Sequence, residues 1–281
     1  MTQPPSQQTT PEAQMPPPLP RALLQTLFTS LTRTPKSPPT TTTTPPPSQT
    51  WTLLRTLRSE NPNDIVGDLH GTATFTPLRR PTQAQTPTTA TTTATTTATA
   101  TSNEPTSEPE PVYKELLYSE SGSLPQSFGP GLRWTKKYIW RLSPEGKISV
   151  WFVKVDNRYA DGEEEADYLF HEFDFGAAVS STSNSGSDVG AGQEFVTPPV
   201  PPENGSRSRS SFGSLFSTNI ETGSGTVVEA RGNHLCVNDM YRTAYAFRVE
   251  EGSGEVLGWA SRHVVKGPKK GQDIVNLYSR G

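Results

Sequence analysis

Five side chains invite a metal-site reading: His171, His234, Cys236, Asp239 and His263. Imidazole, thiolate and carboxylate donors suit zinc or iron. Their spacing argues against a metal, since H-x-C-x-x-D on a strand puts His234 and Cys236 on one face and Asp239 past its end. HExxH, CxxC and His-x-His are all missing from the sequence, so no metal site and no metal cofactor is expected. Neither a P-loop nor a GxGxxG run is present, which leaves nucleotide-phosphate binding without support. Cys236 has no partner cysteine, which excludes a disulfide scaffold, and a lone cysteine in a strand reads as a small buried hydrophobe. An acid–base pair remains conceivable, with His171 or His234 beside Glu120.

A second pattern is more extensive. Aromatic and polar residues alternate on strand-like runs: Tyr118 with Glu120, Lys136 with Tyr138 and Trp140, His171 with Phe173, His234 with Cys236. If these faces point into a closed barrel, they line an aromatic pocket with a few polar handles, the usual make-up of a small-molecule site. If they point outward, they are a half-solvated surface. The inward reading makes Tyr118, Glu120, Tyr138, Trp140, His171, His234, Tyr241 and Tyr245 the lining of a site for a small apolar or aromatic ligand.

The elements that would position them are strands. Runs at 51–59, 69–78, 112–122, 132–142, 147–155, 168–175, 232–237, 240–250, 255–267 and 273–279 are rich in aromatic and β-branched residues and are broken by turn sequences such as NPND and SPEG. Leu169, His171, Phe173 and Phe175 share one face by strict alternation, as do Tyr241, Thr243, Tyr245, Phe247 and Val249. About ten strands at short spacing, with a single helix before them, predict an all-β, antiparallel up-and-down barrel of eight to ten strands; a two-sheet sandwich is the competitor. The helix is PRALLQTLFTSLTR, with Leu23, Leu24, Leu27, Phe28 and Leu31 at helical spacing.

Between these elements lie tracts of a different kind. Residues 1–19, 33–50, 80–111 and 177–224 amount to 117 of the 281 residues and contain none of the five tryptophans or eight tyrosines. Their Thr, Pro, Ser and Gly cannot bury enough apolar surface to offset an ordering cost of about 1–2 kcal/mol per residue, so disorder is the expectation. The chain then reads as a tail over 1–19 and one domain over 20–281, with insertions at 33–50, 80–111 and 177–224. No run approaches the ~18 apolar residues of a spanning helix. The net charge of −3 and pI near 5.9 give no basic footprint, so neither a membrane nor a nucleic acid is expected as partner. The Arg- and Thr-rich, acid-poor N-terminus is compatible with a mitochondrial transit peptide; a docked helix and a cytoplasmic protein is the preferred expectation.

Ten segments occur in a characteristic order: LFTSL, WTLLRTL, GTATF, LYSESG, KKYIWR, FHEFDF, HLCVNDMY, YAFRV, VVKGPKK and LYSR. In this order they resemble the domain-of-unknown-function family 6314. The resemblance implies a calycin-like β-barrel and supplies no activity. It also implies that the LFTSL helix is a lead-in to the barrel, and that Trp51 of the first strand packs beneath Arg280 of the last in a structural role. Two departures stand out: Thr50 precedes Trp51 where the family tends to have Gly, and Gly-Gln-Asp-Ile follows Lys270 in place of Asp-Tyr. Three functions are compatible with this reading: a lumen that binds a small molecule, an enzyme using His171 or His234 with Glu120, and a scaffold acting through its low-complexity tracts. The residues name no cofactor, no ligand identity and no oligomeric state, and catalysis is less favoured than ligand binding.

Overall fold

The computed structural model describes residues 19–33, 49–78, 114–155, 164–176, 196–203, 225–268 and 270–280. A helix, α1 (Arg21–Ser30), precedes β1 (Thr50–Ser59), β2 (Gly67–Pro77), β3 (Lys114–Ser123), β4 (Arg133–Leu142), β5 (Ile148–Val153) and β6 (Ala166–Glu172). The remaining strands are β7 (Thr226–Cys236), β8 (Asp239–Val249), β9 (Val256–Lys266) and β10 (Gly271–Arg280). All ten belong to one sheet in the order β6-β5-β4-β3-β2-β1-β10-β9-β8-β7, every pairing antiparallel. One sheet, rather than two stacked ones, rules out the sandwich.

The sheet curls until its two end strands meet. There, Asp174 and Arg231 form an antiparallel bridge, each N–H donating to the other's carbonyl at 2.7 and 2.9 Å. The result is a nearly closed, up-and-down barrel whose shape fits the calycin-like expectation. At this β6/β7 seam a Cβ on Gly232 would lie 2.5 Å from the His171 ring and 2.9 Å from the Glu172 carbonyl oxygen. Glycine is what lets the imidazole wedge between the strands.

The helix closes one end. Leu24, Leu27 and Phe28 recur at helical spacing and are buried, as is Leu31 just beyond the helix. Leu27, Phe28 and Leu31 pack on Trp51, Leu53, Phe75, Leu142, Ile148, Phe247 and Val256 in one apolar cluster. Two hydrogen bonds fix the docking: Trp51 Nε1 donates to the Leu31 carbonyl at 3.2 Å, and Val256 N donates to Ser30 Oγ at 3.0 Å. No side chain caps the helix N-terminus and its last turn carries no basic residue, so packing rather than capping holds it. Burial of Leu27 and Phe28 contributes about 1.5–3 kcal/mol each. Among the described residues no helix is long and apolar enough to cross a membrane.

Three expectations change in detail. Leu169 does not share a face with His171: it is exposed, while Phe170 and His171 are both buried. The reason is a register shift between β5 and β6, where Val150 pairs with His171 but Trp151 pairs with Leu169. The seventh strand begins at Thr226 rather than 232, its first residues being Thr-Val-Val-Glu. Within the tract 177–224, residues 196–203 pack on the barrel, with Val196, Pro199 and Pro201 buried and Arg248 Nη2 donating to the Pro201 carbonyl at 3.2 Å. A proline-rich run loses little entropy on being laid down in an extended form, which offsets its lack of large side chains. Most of the remaining low-complexity sequence, RSRSS at 207–211 included, lies outside the described residues.

Candidate functional site

Because α1 fills the end where β1 starts, the space inside the barrel lies toward the other end, where β1 finishes and β2 begins. A cavity of about 250 Å³ is walled there by residues of eight strands. Alternation supplies them: Tyr118 and Glu120 from β3; Lys136, Tyr138 and Trp140 from β4; Val150 and Phe152 from β5; Tyr241 and Tyr245 from β8. The strands β9 and β10 add Trp259, Ser261, His263 and Val265, and Gln272, Ile274, Asn276 and Tyr278; Arg55 enters from β1 and Phe170 from β6.

Most of this wall is aromatic and interlocked. The Trp259 and Tyr278 rings stack with centroids 3.5 Å apart, as the direct cross-strand pairing of these residues requires. Trp140 meets Trp259 and Tyr245 edge-on, and Tyr138 stacks on Phe170 at 5.9 Å.

Through it runs a connected polar chain. Glu120 Oε1 accepts from Arg55 Nη2 at 2.6 Å; Glu120 Oε2 accepts from the Tyr118 hydroxyl at 2.5 Å and from Tyr278 at 3.4 Å. Arg55 Nε donates to Asn276 Oδ1 at 2.7 Å, which turns the Asn276 amide so that Nδ2 donates to Ser261 Oγ at 2.9 Å. Ser261 in turn lies 3.1 Å from His263 Nε2. Arginine can only donate, so the orientation of Asn276 follows from its position beside Arg55. The Arg55 guanidinium also lies 4.6 Å from the Trp134 ring centre. That indole occupies the space over Gly122, where a Cβ would come within 2.6 Å of it.

The electrostatics follow from this packing. Burial raises Tyr118 well above the ordinary tyrosine value, with the Glu120 charge adding to it, and raises Tyr138 to about 12 by the same two causes. Desolvation works against the Arg55 charge, but Glu120 and the two tyrosines beside it outweigh this and raise its pKa. Lys136 is exposed at the mouth yet ringed by the barrel wall; lost hydration and then the Arg55 charge lower it to about 8, against a pull from Glu120. His263 is driven well below its usual value by burial, then by His171, Lys136 and Arg55.

Of the eight residues expected to line a lumen, Tyr118, Glu120, Tyr138, Trp140, Tyr241 and Tyr245 border this cavity, and His171 and His234 do not. His171 is buried at the seam, its Nε2 3.0 Å from the Tyr245 hydroxyl, and burial lowers it to about 3. His234 stands on β7 against Phe170 and Tyr241. Glu120 is bonded by Arg55, Tyr118 and Tyr278 rather than by either histidine. Among the described residues no group of three or more His, Cys, Asp and Glu is placed to hold a metal. At the mouth, Lys270 is engaged: its Nζ is 3.0 Å from Asp239 Oδ2 and donates to the Tyr241 hydroxyl at 3.0 Å.

Trp51 and Arg280 are register partners, with the guanidinium 5.5 Å from the indole centre. Arg280 Nε and Nη2 are buried without a hydrogen-bond partner among the described residues, so the stack is their visible contact. Sequence reasoning did not single out Arg55, Trp134, Asn276 or Tyr278. Arg55 sits in WTLLRTLRS beside Arg58, and only Glu120, distant in the chain, distinguishes the two.

Fold and cavity together define an all-β, single-sheet barrel with a helix-plugged base and a mixed aromatic and polar lumen. The chain belongs to a family of unknown function, DUF6314, whose model matches residues 48–188 and 209–280. No curated protein and no solved structure matches it. Both α1 and the strap at 196–203 fall outside the matched residues, so their place in the barrel rests on packing.

Proposed function

We propose that the barrel binds a small apolar or aromatic molecule in its lumen. The observation carrying this reading is the cavity of about 250 Å³ walled by rings, with a buried polar chain whose members mostly satisfy one another. A purely structural interior would be filled with aliphatic side chains; this one holds open space beside Trp140, Trp259 and Tyr245. The volume is below the 300–1,000 Å³ usual for drug-sized ligands, so it suits a molecule of one or two rings.

An enzymatic reading has weaker support. His171, held neutral and turned to Tyr245, does not reach Glu120, and the carboxylate's acceptor capacity is taken by Arg55 and the tyrosines.

Tryptophan fluorescence reads the site directly, because Trp140 and Trp259 border the cavity. A panel of one- and two-ring aromatics should include members that change the emission saturably at one per chain, and Ile274→Trp, which fills the space, should abolish the response. Native mass spectrometry of gently purified protein should show the bound species. Emission unchanged across the panel, together with a bare protein mass, would overturn the reading.

A further inference from the structure

The charges lining the lumen do not cancel. Among the residues bordering the cavity, Arg55 and Lys136 are cations and Glu120 is the carboxylate. Glu120 is engaged elsewhere: one oxygen is on Arg55, the other on Tyr118 and Tyr278. Lys136 stands directly opposite Glu120 in the β3/β4 register, where an opposite-charge pair is ordinarily made. No such pair forms, because Glu120 has turned across β2 toward Arg55 on β1. Among the described residues the Lys136 ammonium therefore has no acceptor, and it lies at the open end beside Tyr138. The other titratable groups bordering the same cavity are Tyr118, Tyr138, Tyr241, Tyr245, Tyr278 and His263. Burial holds Tyr118, Tyr138, Tyr245 and Tyr278 above and His263 below their usual values, so these stay uncharged near pH 7 and do not offset the positive charge.

We propose that the lumen is shaped for an anion, a one- or two-ring aromatic carboxylate whose acid group pairs with Lys136 at the mouth while its ring enters the aromatic well. This rests on the lumen-binding reading and adds the ligand's charge to it. A neutral ligand would strip water from the Lys136 ammonium and return nothing. A cationic ligand would meet Lys136 and Arg55 together. A carboxylate restores the partner that Glu120 does not supply, and Arg55, locked between Glu120, Asn276 and Trp134, fixes the positive field behind it.

The test compares 2-naphthoate with its uncharged isostere 2-naphthamide, titrated into the full chain at pH 7 and followed by calorimetry. In the wild type the acid should bind about 10- to 100-fold more tightly, the range of one charge-assisted hydrogen bond. Lys136→Met should remove that preference by weakening the acid and, with no ammonium left to strip of water, somewhat tightening the amide, and Lys136→Arg should retain it. Thermal unfolding of both variants checks that an exposed lysine was replaced without loss of the fold. Equal binding of acid and amide by the wild type, or a preference that survives Lys136→Met, overturns the charge assignment while the lumen-binding reading stands. Failure of either probe to bind, with the fluorescence panel also silent, overturns both.

Discussion

Replacing Glu120 by glutamine tests the polar chain at its centre. The side chains of Arg55 and Glu120 are 5% and 2% exposed and 2.6 Å apart, so the pair is fully desolvated. Glutamine keeps the shape and one acceptor oxygen, but it leaves Arg55 and Lys136 facing each other without a carboxylate. Breaking a buried pair by removing one partner costs about 3–5 kcal/mol, because the survivor is buried uncompensated. At about 2–4 °C per kcal/mol for a domain of this size, the expected fall in Tm is roughly 6–20 °C. Arg55→Met should cost less, about 1–2 kcal/mol, since Lys136 already stands opposite Glu120 and can take the freed oxygen. The double variant should recover at least half of the Glu120→Gln loss, because neither charge is then stranded. Urea unfolding of the full chain at pH 7, followed by tryptophan fluorescence, yields all three values on one scale. A loss below about 1 kcal/mol for Glu120→Gln, or an Arg55→Met loss as large as it, would refute the argument that the lumen carries excess positive charge.

Other expectations follow from single contacts. Gly232→Ala should lower stability by about 1–3 kcal/mol, since its Cβ would meet the His171 ring at 2.5 Å; unchanged urea midpoints would contradict the wedge. His171, lowered to about 3, binds its proton in the unfolded chain before the folded one. Stability should therefore fall as pH drops from about 6.5 toward 3, by up to roughly 4–5 kcal/mol, and His171→Phe should flatten that acid limb. Val237, at φ 55 in the two-residue turn between β7 and β8, occupies a conformation unfavourable to a β-branched residue; Val237→Gly should raise stability by about 1 kcal/mol, read as a higher urea midpoint.

How far the sequence reached depends on whether the needed signal was local. Alternation along β8 puts Tyr241 and Tyr245 on one face, and both border the cavity, because the period of two is local to the strand. The same logic failed at Leu169, since a register shift against β5 moves the pattern by one residue and nothing in YLFHEFDF marks it. The Ser143–Gly146 turn between β4 and β5 was visible as SPEG, a purely local choice. Arg55 was not visible, because a lone arginine in a strand looks like an exposed one until Glu120 is brought across β2 to meet it. The strap at 196–203 was hidden by its composition: proline-rich sequence reads as solvated, and only the outer face of β8, with Arg248 buried on it, gives it something to cover.

The order of strands has a consequence for how the protein is made. Adjacent strands can pair as they leave the ribosome, but β1 has β10 as its second neighbour, and the nine register pairs between them include Trp51 with Arg280. At a synthesis rate of about 5–20 residues per second, the outer edge of β1 waits roughly 10–45 s for its partner to appear. Throughout that interval it is an unpaired edge carrying Trp51, Leu53 and Leu57, open to pairing with other nascent chains. The lead-in helix leaves the ribosome ahead of β1, and Leu31 holds the Trp51 indole in the finished barrel. A nascent form of that contact is the earliest cover this edge can have, so α1 would act as a guard during synthesis as well as a plug afterward.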